Sequence, residues 1–169
     1  GPAGMYHDSV YPVSQTGSTG MAFEAGASGK NLTEWQFGMA SLNPRWNVSG
    51  TYMQVLPSFI STDQDGNDEK EFLLDYFNEL PDLLSMVFLK GYQWPFDVNK
   101  IFGGSSVIDL LVYQETVLKK RRVFLDYRVN PGNLEKDRDL PYASMIPEAK
   151  EYLSQAGACF GTPIERLKH

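Results

Sequence analysis

The chain has 169 residues, 15 Lys+Arg against 21 Asp+Glu, a formal net charge of −6 and 42% hydrophobic content. That composition supplies a globular interior and argues against nucleic acid, whose phosphates reward a basic face. No apolar run reaches the length of a membrane span, and the single cysteine, Cys159, excludes an intrachain disulfide and suits a reducing, cytoplasmic compartment.

Residues 1–15 lack any period and read as an extended loop. The small-residue turn Thr16-Gly-Ser-Thr-Gly20 opens into a short predicted helix over 17–28, closed by Gly26 and Gly29. Such a helix start offers unpaired N–H groups and a positive dipole end to an anion, although ordinary caps on a surface helix leave the same pattern. Residues 34–41 read as a strand. Glu34 and Gln36 share one face of it, either as the polar lining of a substrate site or as part of a satisfied buried network. Arg45 follows Pro44 in a predicted loop, as a positioned binding group or a solvated charge.

Tyr52–Thr62 alternates and reads as a covered strand, limited at Pro57. The acidic stretch Asp63-Gln-Asp-Gly-Asn-Asp-Glu69 lacks the glycine and glutamate spacing of a calcium loop and reads as an Asp-Gly turn. Asp68–Phe77 is expected to form a short amphipathic helix. Pro81 starts a second, carrying Leu83, Leu84, Val87 and Phe88 until Gly91. The run Lys90-Gly-Tyr-Gln-Trp-Pro-Phe-Asp97 groups three aromatics and a lysine. It suits a lid in which Trp94 stacks on a planar ligand beside Lys90, or an aromatic plug between two helices.

Ser106 with Asp109 suggests a capping box for a helix to about Lys119, striped by Val107, Leu110, Leu111, Val117 and Leu118. The basic run Lys119–Arg122 falls at its end, where cations favour the helix dipole. Arg122–Tyr127 returns as a strand, with Asp126 and Arg128 expected to pair on its outer face. Pro147–Ala156 is a further helix capped by Gly157. Thr162-Pro-Ile-Glu165 is a capping box with proline at the first helical position. A helix so clearly announced is expected to run past one turn, so the sequence reads as a piece of a longer protein. Its self-sufficient core is expected over about 45–157, and Cys159 reads as a buried, inert thiol.

Several of these residues also carry a resemblance. Gly4-Met-Tyr6, Thr16-Gly17, Gly20-Met-Ala22, Glu24-Ala-Gly-Ala27, Glu34 and Gln36-Phe37 resemble one join in the fumarate reductase and succinate dehydrogenase flavoprotein family. There the FAD-binding domain meets the substrate-capping domain. Trp46–Val55, Phe88–Asp97, Ser105–Asp109 and Arg122–Arg128 resemble a bacterial branch of that family. The resemblance implies an α+β capping-domain fragment of an FAD-dependent oxidoreductase. Residues 1–44 would be the tail of the FAD-binding domain, and 45–169 the capping domain, truncated at its C-terminal end. It implies Thr16, Gly17, Ser18 and Gly20 as cofactor-contacting positions and a small organic substrate under the cap.

The sequence departs from that family in three places. Ser18 stands where an acidic residue is usual, Gly38 where a substrate-binding histidine stands, and Gly103-Gly-Ser-Ser106 where a helix start carries a catalytic arginine. An arginine fork clamps carboxylates and stabilises the anion that develops, so fumarate or succinate is not expected as substrate. Arg45, Lys90 and Tyr92 remain the candidate proton donors, with Gln36 and Trp94 facing substrate. No Gly-x-Gly-x-x-Gly follows a strand, so no complete Rossmann domain is expected and the chain alone should hold no flavin; His7 and His169 stand at opposite ends, so no zinc site is expected either. Met21, Phe23, Trp35, Phe37 and Met39 would need other cover and are expected to pack back on the cap, exchange with a second copy or stay poorly ordered, which favours a homo-oligomer through the N-terminal segment over a clean monomer. Neither nucleic acid nor membrane is expected as a partner. The rival reading is an autonomous ligand- or protein-binding module built on the aromatic loop.

Overall fold

Small residues, a glycine and a hairpin turn shape the start of the fold. The computed structural model describes residues 17–30, 39–93, 95–134, 141–156 and 161–168. The described residues form a small α+β fold without a barrel, and the chain divides into two compact units, residues 1–48 and 49–169.

In the first unit, α1 (Gly17–Glu24) ends four residues before the expected limit of 28. Gly26 takes a left-handed φ of 90°. Its N–H donates to Phe23 O at 2.9 Å while Ala27 N–H reaches Ala22 O at 2.9 Å. This is the paired closure of a Schellman motif, for which glycine carries no Cβ penalty. A two-stranded hairpin follows, β1 (Ala40–Leu42) and β2 (Arg45–Asn47), with Ser41 opposite Trp46. Arg45 therefore opens a strand rather than lying in a loop. Residues 31–38, most of the strand expected over 34–41, lie outside the described residues.

The second unit is built on α2 (Thr51–Gln54), β3 (Ser58–Thr62), β4 (Lys70–Glu71), α3 (Leu80–Tyr92), α4 (Ser106–Tyr113), β5 (Arg122–Asp126), α5 (Pro147–Gln155) and α6 (Pro163–Arg166). Its antiparallel sheet has the order β4-β3-β5, with Ile60 opposite both Glu71 and Phe124. The expected strand over 52–62 is thus two elements. Leu56 breaks it with a φ of 59°, and Met53, Val55 and Leu56 are all buried. A short apolar run buried on every side carries no period that separates helix from strand. The helix expected over 68–77 is likewise β4 and a 3-10 turn at Phe72–Asp75. Phe72 and Leu73, adjacent and both buried, anchor that turn, and Phe72 meets Phe59 edge-on at 6.3 Å.

The expected stripe on α3 is present: Leu83, Leu84, Val87 and Phe88 are buried, each contributing about 2 kcal/mol by removal from water. Pro81 lies in the first turn, but the helix passes through Gly91 to Tyr92. Gly91 serves packing instead. A Cβ there would fall 2.7 Å from Gly50 O and 2.8 Å from Gln54 Cγ, so its absence lets α2 lie against α3.

The capping box assigned to Ser106 and Asp109 is not formed. Ser106 Oγ accepts from the Asp97 N–H at 3.0 Å, and Asp109 pairs with Lys90 instead. The helix also changes pitch, passing from α4 into a π-helical turn at Gln114–Leu118. Lys120, at φ 56°, turns the chain into β5.

The expected Asp-Gly turn is found, with Asp63 Oδ1 accepting from the Asp65 and Asn67 N–H groups at 3.0 and 2.8 Å. Thr162 and Glu165 form their capping box, on a helix of one turn. That turn belongs to the core, beyond the expected limit of 157. Arg166 is buried and donates to Val55 O from Nε (3.0 Å) and Nη2 (2.8 Å), and to Asn130 Oδ1 at 2.9 Å. Gly157 and Cys159 lie outside the described residues.

Candidate functional site

The C-terminal half of α3 carries the chemistry that the sequence singled out, and a helical pitch splits it. Lys90 and Tyr92 are two positions apart, so they leave the helix on different sides. Lys90 turns inward and is 1% exposed. Its Nζ bonds to Asp109 Oδ2 on α4. Burial pushes the Lys90 ammonium below the ordinary lysine range and the Asp109 carboxyl above the ordinary aspartate range, with their mutual attraction opposing both shifts.

Tyr92 is 55% exposed. It joins an aromatic row in which Phe88 lies 5.4 Å from its ring and 5.5 Å from Tyr152 on α5. A groove of about 480 Å³ runs beside that row, lined by Leu89, Tyr92, Gln93, Glu148, Glu151, Tyr152 and Gln155. Gln155 Nε2 donates to Glu151 Oε1 at 2.9 Å. Two tyrosine rings beside two carboxylates suit a planar or cationic ligand. Gln93 joins the two sides of the helix, because Ser105 Oγ approaches both its carbonyl and its Oε1 at 3.4 Å.

Sequence reasoning missed the α5 wall. The signal was legible: Glu148, Glu151, Tyr152 and Gln155 repeat at i, i+3, i+4 and i+7, opposite the buried Ala149 and Leu153. A second depression, of about 360 Å³, lies on the sheet among Ile60, Thr62, Gly66, Glu69, Phe124, Leu125, Asp126 and Arg128. There Asp126 and Arg128 pair as expected, at 2.7 Å. The Arg128 side chain holds the Asp126 carboxyl below the ordinary range.

Three of the four side chains of the basic run, those of Lys119, Arg121 and Arg122, meet partners. Lys119 Nζ lies 2.6 Å from Glu115 Oε1, and Arg121 reaches both Glu115 (3.3 Å) and Asp68 (2.7 Å). Arg122 sits 5.1 Å from the Phe124 ring centroid. Glu115 is buried and accepts from Ser61 Oγ at 2.8 Å. Among the described residues every buried side-chain polar atom has a hydrogen-bond partner.

Of the proposed cofactor positions, Gly17, Ser18 and Gly20 lie in α1. A Cβ at Gly20 would meet nothing within 4 Å. The space beside Gly20 is therefore open. Thr16, Gln36 and Trp94, and the side chains of Ser18 and Arg45, lie outside the described residues. Among the described residues no group of three His, Cys, Asp or Glu side chains is placed to hold a metal ion, and no helix is long and apolar enough to cross a membrane. A scan against protein-family models, and searches of curated proteins and of solved structures, match nothing.

Proposed function

We propose that this chain is the substrate-capping portion of an FAD-dependent oxidoreductase akin to the fumarate reductase and succinate dehydrogenase flavoproteins, with a pocket not built for dicarboxylates. One observation carries the reading. The small residues Gly17–Gly20, which resemble the flavin-side join, form the first half of a short helix, Gly17–Glu24, closed by Gly26 within the first of the two units. Flavin, when bound, supplies hydride transfer; this chain would supply one flank for it and the walls over the substrate. Gly38 and Ser105-Ser106, in place of a histidine and an arginine, support a substrate other than fumarate.

The groove beside Tyr92 favours a second reading, since its walls lie wholly within residues 49–169. A ligand-binding module would need no other domain. One experiment separates the two. The isolated chain should purify colourless, while the longer gene product should carry stoichiometric flavin and leave fumarate unreduced with a reduced dye. A colourless longer product would favour the binding module. Rapid fumarate turnover would mean that Gly38 and Ser105-Ser106 were matched to the wrong positions.

A further inference from the structure

The groove between α3 and α5 carries an unbalanced charge. Glu148 and Glu151 stand three residues apart on α5, about 6 Å between Cβ atoms, where like charges repel. Both are exposed. Glu151 Oε1 accepts from Gln155, a neutral donor, and neither carboxylate has a cationic partner among the described residues. The charges of Glu115 and Asp126, by contrast, are met by Lys119, Arg121 and Arg128. Nor do the described lining residues of the groove include a lysine, arginine or histidine.

Aromatic rings lie beside those carboxylates. Phe88, fully buried, packs against Tyr92 at 5.4 Å and Tyr152 at 5.5 Å, which keeps the two tyrosine centroids within about 11 Å of each other. Tyr152 follows Glu151 directly and lies one helical turn beyond Glu148. A cation is attracted to a ring from within about 6 Å of its centroid, so one cation can meet both rings and the carboxylates next to them. We propose, resting on the reading of this chain as a ligand-binding module, that the groove holds an organic cation whose charge is a methylated ammonium. Methyl groups strip an ammonium of its donors and most of its hydration, so it leaves water readily for aromatic faces, whereas a primary ammonium stays hydrated. Glu148 and Glu151 then act through charge, and a volume of about 480 Å³ accommodates the group with a short substituent.

Choline, titrated into the full chain and followed by backbone amide shifts in NMR, should bind with a dissociation constant of about 1 mM. The shifts should centre on residues 89–93 and 148–155. Neohexanol, the uncharged carbon isostere of choline, should bind more weakly by about threefold or more, and added salt should weaken choline alone. Tyr92→Leu and Glu151→Gln should each weaken choline about threefold. Asp82→Asn, exposed at the other end of α3, should leave it unchanged. A peptide with one trimethyl-lysine, run beside choline, separates a side-chain ligand from a free one; whichever binds tighter names the source, and either supports the proposal. Neohexanol bound as tightly as choline, or choline binding indifferent to Glu151→Gln, would overturn the cation and leave the groove a binding site. No shift with any of the three would overturn the proposal, and the flavin content of the longer gene product then decides the module reading separately.

Discussion

Lys90 carries its ammonium into the interior beside Asp109, and both groups pay for burial in their titration. The folded Lys90 holds its proton less tightly than the unfolded one, so its share of stability improves as pH rises through the alkaline window below the ordinary lysine value. The folded Asp109 holds its proton more tightly, so its share falls as pH rises through the acid window above the ordinary aspartate value. At the buried Lys90 and the partly buried Asp109 alike, desolvation outweighs the mutual attraction in setting the direction. Breaking the pair on one side should therefore be worse than removing it whole. Lys90→Met should cost about 3 kcal/mol, and Lys90→Met with Asp109→Leu should recover most of that loss. Urea unfolding of the two variants checks this, and a double variant less stable than the single one would show that the ion pair itself holds α3 to α4.

At the scale of elements, the π-helical turn at Gln114–Leu118 places Glu115 under the sheet. The extra residue in its wider turn aims that carboxylate at Ser61 on β3 while Lys119 and Arg121 close around it. Burial pushes the Glu115 carboxyl up, but the hydrogen bonds from Lys119 and Ser61 together outweigh it, and the group sits below the ordinary glutamate range. A carboxylate with a depressed folded value stabilises above its unfolded value and loses that contribution as pH falls through the folded one. Glu115→Gln should thus cost about 2 kcal/mol near neutrality, by leaving two cations short of an acceptor. The gap to wild type should narrow towards about pH 3. Chemical denaturation across that range measures it, and a gap that stays constant would mean that charge is not what Glu115 contributes.

The two compact units set the prediction for the whole molecule. Residues 49–168 contain the three-stranded sheet, helices α2 to α6 and the Arg166 anchor to Val55 and Asn130. A chain starting at Ser49 should fold and unfold cooperatively at nearly the temperature of the full chain. A chain ending at Gln155 loses α6 and leaves the Val55 and Asn130 acceptors inside without their donor. It should lose about 3 kcal/mol or more. Differential scanning calorimetry on both truncations decides this. If the Ser49 version were unfolded while the Gln155 version melted normally, the first unit would be integral and α6 dispensable.

What the sequence determined by itself was whatever local chemistry enforces. Pro81 opens α3 and Leu83, Leu84, Val87 and Phe88 stripe it; Gly26 closes α1; Asp63 and Gly66 make their turn; Thr162 and Glu165 cap α6; Asp126 and Arg128 pair within two residues. In each case partner and residue lie within about one turn, so spacing alone specifies the contact. Tertiary structure decided the rest. It split Tyr52–Thr62 into α2 and β3, because a run buried on all sides has no face to betray its period. It withdrew Ser106 and Asp109 from a cap, because a buried Lys90 and the Asp97 N–H made stronger demands on them. And it sent Lys90 and Tyr92 to opposite sides of one helix, since neighbours in a loop motif part company once the helix runs on through Gly91 to pack against Gly50.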